Sequence, residues 1–341
     1  MNKSITSCGE TKSPEQTLFP ERVEVKSKKT NIDKENLSQI EALNVLGSVL
    51  IVYDEFLGQK CTLFDLEDST NWFRFGAIGQ GPNELPNSSV VISYYQGLQV
   101  FDQFSGAISN YDVQALKENR DTTLLCYFKG DKHIQKDIFY SKLLGAADSL
   151  IFGAGVIDGK FQYNLFDMQG NSYHKAMEIY NAYDQFFNKY QKLLSNQGCL
   201  IKRNNCDQFV FALNNSSNID FIQINNLKIE VINAYHERNP QMVPRQHGDH
   251  SLAIPAAESP IGYIGLTGGD SFVYALHTTN PYKSGKYCST EVRVFDWAGN
   301  PIKVLDLDKQ AYHITVNSSD NKLYASVKDE DGEWNIVYYE L

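Results

Sequence analysis

Six times along this chain an aromatic residue sits inside a short apolar run. About one strand's length later, a second aromatic or an Ile is followed by Asp, Asn or Glu. The first set is Tyr53, Phe101, Phe152, Phe211, Tyr274 and Tyr324, in VLIVYD, GLQVFD, SLIFGA, QFVFAL, SFVYAL and KLYASV. The second is Phe64-Asp65, Tyr111-Asp112, Phe166-Asp167, Ile224-Asn225, Phe295-Asp296 and Tyr339-Glu340. Members of the first set follow one another at 48, 51, 59, 63 and 50 residues. A period of that size, built from strand-type units, predicts an all-β fold: a six-bladed β-propeller of four-stranded antiparallel blades. The repeats run from Leu37 to Leu341, which predicts one propeller domain over 19–341 after an N-terminal tether over 1–18.

Within a blade the strands run a to d from the central channel outward. The first aromatic set falls on strand b and the second on strand c, where alternation buries every second side chain between blades. Turn residues follow the b strands at Leu57-Gly58, Ser105-Gly106, Asp158-Gly159, Asn214-Asn215-Ser216 and Asp331-Gly332. Gly170-Asn171 and Gly299-Asn300 turn c into d, since such turns need residues that tolerate positive φ. Inner strands are expected near Ile40, Val91, Leu143, Leu200, Ile264 and Ile314. The sixth repeat ends at VYYEL without a strand d, while Arg22-Val23-Glu24-Val25-Lys26 alternates like a strand with no repeat of its own. Pairing the two would close the ring and remove an exposed sheet edge. Two insertions are expected: helical cover over 174–196, where Met177, Tyr180, Phe187, Tyr190 and Leu194 recur at roughly helical spacing, and a Pro-rich loop from His236 to Ile261.

A net charge of -10 repels phosphate backbones, so nucleic acid is not an expected partner. No run approaches the ~20 apolar residues of a membrane span. The six cysteines contain no CxxC pair, which argues against a zinc site. Cys61, Cys126 and Cys288 read as free thiols in or beside strands, whereas Cys199 and Cys206 flank a tight turn that could bring them together. Ile5-Thr6-Ser7-Cys8-Gly9-Glu10 matches the box at which bacterial lipoproteins are cut and lipidated on cysteine. Only MNKS precedes it, too little for a signal peptide. Either the match is chance or the true start lies upstream. On the lipoprotein reading the protein is exported, periplasmic or on the outer membrane, and meets the membrane only through a lipid at Cys8.

GxSxG, HExxH and P-loop signatures are missing, and the Asp residues that close each repeat recur too often to be catalytic. No catalytic residue is assigned. Arg245-Gln246-His247-Gly248-Asp249-His250 gathers two imidazoles and a carboxylate, but one loop cannot preorganise three metal ligands cheaply, so no metal is assigned. With Arg238 it forms a local basic spot able to meet an anionic group. Phe75 to Leu85, FGAIGQGPNEL, cannot be a dinucleotide fingerprint because Pro82 follows the glycines and no helix opens there. Propeller ligands sit on the face of the d-to-a and b-to-c loops. The expected ligand-binding residues there are Gln80, Arg238, Arg245, His247, Tyr282 and Lys283.

FGAIGQGPNEL and the downstream GLQVFDQFSGAISNYDV resemble the TolB-like six-bladed propellers common among uncharacterised Bacteroidetes envelope lipoproteins, with their G-x-G-P-x-E-[FL] loop and Ser-Cys-Gly start. The matching residues are Gly79, Gly81, Pro82, Glu84, Leu85, Val100 and Asp102. The resemblance implies a cell-envelope propeller and transfers no catalytic residue. Together these readings predict a monomeric, non-enzymatic binding or scaffolding protein without a cofactor, its partner an unidentified protein, peptide or glycan. The enzymatic alternative is a hydrolase of the sugar-lactonase type, with calcium held in the channel by Glu84, Asn87 and Asn317.

Overall fold

A computed structural model of the chain describes residues 18–341 except 82, 88, 95, 96, 103, 104, 129–137, 147, 148, 179–186, 205, 238, 240 and 249. Blade one is β3 (Ala42–Leu46), β4 (Val49–Phe56), β5 (Gln59–Asp65) and β6 (Trp72–Ala77). Blade two is β7 (Ser89–Tyr94), β8 (Gly97–Asp102), β9 (Ile108–Asp112) and β10 (Leu125–Phe128), with helix α1 (Val113–Asn119) between its last two strands. Blade three is β11 (Ile138–Gly145), β12 (Leu150–Ile157), β13 (Lys160–Asp167) and β14 (Ser172–Glu178). Blade four is β15 (Gly198–Lys202), β16 (Gln208–Leu213), β17 (Asn218–Asn225) and β18 (Lys228–His236). Blade five is β21 (Tyr263–Gly268), β22 (Phe272–His277), β23 (Ser289–Asp296) and the first half of β24 (Pro301–Val316). The second half of β24 is the inner strand of blade six, followed by β25 (Lys322–Lys328) and β26 (Trp334–Glu340).

Both aromatic sets are buried in all six repeats, from Tyr53 at 9% exposed to Phe101 and Tyr339 at 0%. They pack blade against blade: Phe152 stacks on Phe209 at 4.5 Å, and Phe75 meets Tyr111 edge-on at 5.2 Å. The residues that follow the second set are structural. Asp167 accepts from the Gln169 and Asn171 amides and Asp296 from the Asn300 amide. Asp112 caps α1 by accepting from Gln114 and Ala115. Burying a strand end costs less when a side chain satisfies its free amides. Positive φ falls at Gly58, Gly106, Asp158, Gly159, Gly170, Gly299 and Gly332, the turns the sequence marks.

The GQGPNEL loop explains its own motif. The Glu84 carboxylate folds back to accept from the Gly81 amide at 2.7 Å, and a Cβ on Gly79 would overlap that carboxylate. Leu85, fully buried, then plugs the core between blades one and two.

Several expectations are corrected. Arg22 to Lys26 does not pair with VYYEL. Strand β1 (Arg22–Val25) lies parallel to β24 as a fifth strand of blade five, Arg22 opposite Val304 and Val25 opposite Leu307. The strand paired with the last blade is the two-residue β2 (Lys28–Lys29), antiparallel to Tyr338 and Val337. Alternation makes a strand but does not choose its partner; Arg22 finds Asp306 at 2.6 Å and Glu291 at 3.2 Å on blade five. The ring meets where the Val45 amide of blade one donates to Thr315 Oγ1 of blade six at 3.0 Å.

Of the expected helical cover, the described residues hold α2 (Lys189–Ser195), closed by a capping box between Asn188 and Gln191, while His174 to Glu178 belongs to strand β14 and 179–186 lie outside the described residues. The stretch from His236 to Ile261 is not a plain loop: β19 (Met242–His247) and β20 (His250–Pro255) form an extra hairpin, with Gly248 at φ 57° in its turn. Pro244 and Pro255 are tolerated because a two-stranded sheet leaves edges that need no amide. The first inner strand also begins at Ala42, just past Ile40. Cys199 sits on β15 opposite Ala212 and Cys206 lies in the following turn, and both are free thiols.

Candidate functional site

The six inner strands enclose a channel that holds two cavities, both lined by Ile201. The larger, about 530 Å³, opens among the a-to-b turns. Its wall alternates aliphatic groups (Val45, Ile201, Val316) with uncharged polar ones (Asn204, Thr267, Thr315). The charged groups there are already engaged: Lys202 lies 3.4 Å from Asp207 and over the Phe209 ring, and Asp112 caps α1. The smaller, about 220 Å³, lies at the starts of the inner strands, where Asn44, Lys142, Cys199 and His313 project among Leu43, Leu200, Ile264 and Ile314. Burial pushes the His313 imidazole down to about 4, against the opposing pull of its hydrogen bond to the Ile40 carbonyl at 3.0 Å. The ring is neutral and donates from Nε2.

The loop-face residues are dispersed. Gln80 is exposed in the Gly-rich loop and Arg245 is exposed on β19. Arg238, the His247 side chain and Cys8 lie outside the described residues. Tyr282 and Lys283 do come together with the preceding segment: their amides donate to the Ser259 and Ala257 carbonyls, and Lys283 Nζ reaches Glu258 at 2.6 Å. Tyr282 meets Tyr287 edge-on at 6.4 Å. That loop is zipped to its neighbour.

Glu84, Asn87 and Asn317 do not assemble as a calcium set. Glu84 is turned into its own loop, the Asn87 carbonyl accepts from Lys60, and Asn317 closes an a-to-b turn on the opposite face by accepting from the Asn321 and Lys322 amides. Among the described residues no three of His, Cys, Asp and Glu gather as metal ligands.

One constellation has catalytic geometry that residue spacing gives no hint of. The Ser217 hydroxyl lies 2.8 Å from His277 Nε2, and His277 Nδ1 lies 3.2 Å from Glu291. The order is that of nucleophile, base and orienting acid. Ser217 and His277 are each 1% exposed, so no carbonyl substrate can reach the hydroxyl. Glu291 is further committed to Arg293 at 3.0 Å and Arg22 at 3.2 Å. The group is a buried tie that joins blade four, blade five and β1.

Burial pushes Glu291 up, but hydrogen bonding from His277 and the Arg293 charge outweigh it and hold its carboxyl at about 2. A depressed carboxylate contributes stability that is present above its unfolded value, near 4.5, and is lost as pH falls toward 2. Glu291→Gln is therefore expected to lose on the order of 2 kcal/mol at pH 7. It should also show a flatter loss of stability than the parent between pH 4.5 and 2, measured by urea unfolding across that range.

The family comparison agrees with this architecture. Residues 19–319 match the model of the family described as TolB-like 6-blade propeller-like. No curated protein matches the sequence. Among solved structures the chain is similar to Chaetomium thermophilum Raptor (10% identity, TM-score 0.48), covering 93% of this chain and 29% of that one. It is also similar to the Cps50 (Swd1) β-propeller domain of Myceliophteria thermophila (11% identity, TM-score 0.43, 89% and 83% covered). A third likeness is to the calcium-binding protein regucalcin of Agrobacterium tumefaciens (10%, 0.45, 93% and 95%). The chain spans less than a third of the Raptor chain's length.

Proposed function

Since the chain belongs to the TolB-like six-bladed propeller family, we propose that it is a non-enzymatic binding propeller of the bacterial cell envelope that takes a glycan or peptide at its channel. The observation that carries this reading is the 530 Å³ cavity among the a-to-b turns. Its hydroxyls and amides suit hydrogen bonds to a polar ligand, its aliphatic groups suit the ligand's apolar faces, and its charged groups are engaged elsewhere. Acid–base chemistry needs a titratable group aimed at the ligand, and this wall offers none. The exposed loop-face groups around Arg245, Tyr282 and Lys283 form the second candidate surface.

Binding of soluble cell-wall muropeptides and neutral oligosaccharides, measured by calorimetry, tests the reading. Ser318→Trp narrows the exposed mouth of the larger cavity and is expected to weaken binding at least about tenfold. Loss only in the triple Arg245, His247 and Tyr282 to Ala variant would move the site to the loop face. Binding of no member of the panel, or binding that neither variant alters, would contradict the proposal. The envelope placement rests on the Ser7-Cys8-Gly9 box. Expressed from its natural locus, the protein is expected in the membrane fraction and its Cys8→Ala variant in the soluble fraction; identical partitioning of the two would overturn lipid anchoring.

A further inference from the structure

The smaller channel cavity is lined by a lysine with no counter-ion among the described residues. This is Lys142, and among the described residues its ammonium has no hydrogen-bond or ion-pair partner. Three inner strands are bulged at the level of this cavity. Pairing skips a residue between Tyr140 and Lys142 on β11, between Tyr263 and Gly265 on β21, and between Ala311 and His313 on β24. Bulges re-aim side chains and recur beside functional sites. Here the residues just past them, Lys142, Gly265 and His313, all line the same 220 Å³. The other polar groups are uncharged except Glu41, which also lines the cavity. Cys199 Sγ donates to Asn214 Oδ1 at 3.7 Å, neutral His313 is tied to the Ile40 carbonyl, and exposed Glu41 answers electrostatically to Lys60 rather than to Lys142.

We propose that this cavity is a carboxylate-binding site in which Lys142 supplies the counter-charge and Asn44 an amide donor. The proposal rests on the reading of the channel as a ligand site and adds the class of group its inner end accepts. An isolated ammonium among Leu43, Leu200, Ile264 and Ile314 is poorly solvated, and burial accordingly pushes Lys142 down from its usual range. A carboxylate entering the cavity restores the missing charge where the low dielectric makes the pairing strong. The volume, several times the ≈ 30 Å³ share of one water, admits a small organic acid or the last residue of a peptide.

The test uses the full chain with acetate, N-acetylalanine and N-acetylalaninamide as probes. Acetate or N-acetylalanine is expected to bind and the amide not to bind. Holding Lys142 charged raises its pKa, so wherever the free lysine is partly neutral binding should take up a proton, seen as a dependence of the calorimetric heat on buffer ionisation enthalpy. Lys142→Met is expected to lose at least about tenfold in affinity. Lys142→Arg should keep binding without proton uptake, because a guanidinium does not release its proton. Binding of acetate alone assigns the site to free small acids, and binding of N-acetylalanine extends it to chain ends. No binding of either acid, equal binding of the amide, or unchanged affinity in a folded Lys142→Met protein would overturn the proposal. Because Ser318 lies at the other mouth, failure here with muropeptide or oligosaccharide binding intact there would leave the broader reading standing.

Discussion

Everything in this molecule depends on closing a ring of blades. A blade buries one face against each neighbour, so an open ring would leave two apolar sheet faces and a strand edge in water. The chain solves this with its first described segment. Leu18 and Phe19 enter the core of blades four and five, where Phe19 meets Phe295 edge-on at 5.2 Å. Aromatic burial of this kind is worth roughly 3 kcal/mol. Strand β1 extends blade five and β2 completes blade six. Lys28 pairs with Glu340 at 2.6 Å, and Thr30 Oγ1 donates to the Ile336 carbonyl at 2.8 Å. One arm thus spans two blades, which a single closing strand would not do.

Closure also shapes the channel. Blade six meets blade one through Val45 and Thr315, and both residues line the larger cavity. The buried Ser217–His277–Glu291 group is part of the same support, because Arg22 of the arm reaches Glu291. A constellation that looks catalytic in its distances therefore serves the architecture. Among the described residues, the channel lining with Lys142 and the loop-face groups around Arg245 are the surfaces offered for recognition.

The repeats were legible because sheet packing makes them so: Phe101, Phe152 and their counterparts must be buried at one point of each period, and alternation displays them. The turns were legible at Asp158-Gly159 and Gly299 because positive φ leaves a residue signature. The partner of Arg22–Val25 was not, since Val23 and Val25 would pack equally well on any apolar edge and only the fold brings Asp306 within reach. The β19–β20 hairpin was obscured by Pro244 and Pro255, which mark loops unless a strand edge is free. In GQGPNEL nothing in the residues showed that Glu84 is the strut forbidding a side chain at Gly79. Lys142 sits in FYSKLLGA as one charge in an inner strand. That was the available signal, and the bulge that turns it into the cavity has no mark in the sequence.

The most direct test of this account is amide hydrogen exchange in the full chain and in a variant lacking residues 18–29. If the arm closes the ring, its removal should collapse protection across Trp334–Glu340 and Pro301–Leu307 while strands β8, β9, β12 and β13, which the arm does not touch, exchange nearly as before. Unchanged protection in those two segments would show that blades five and six hold together without the arm and would contradict the central claim.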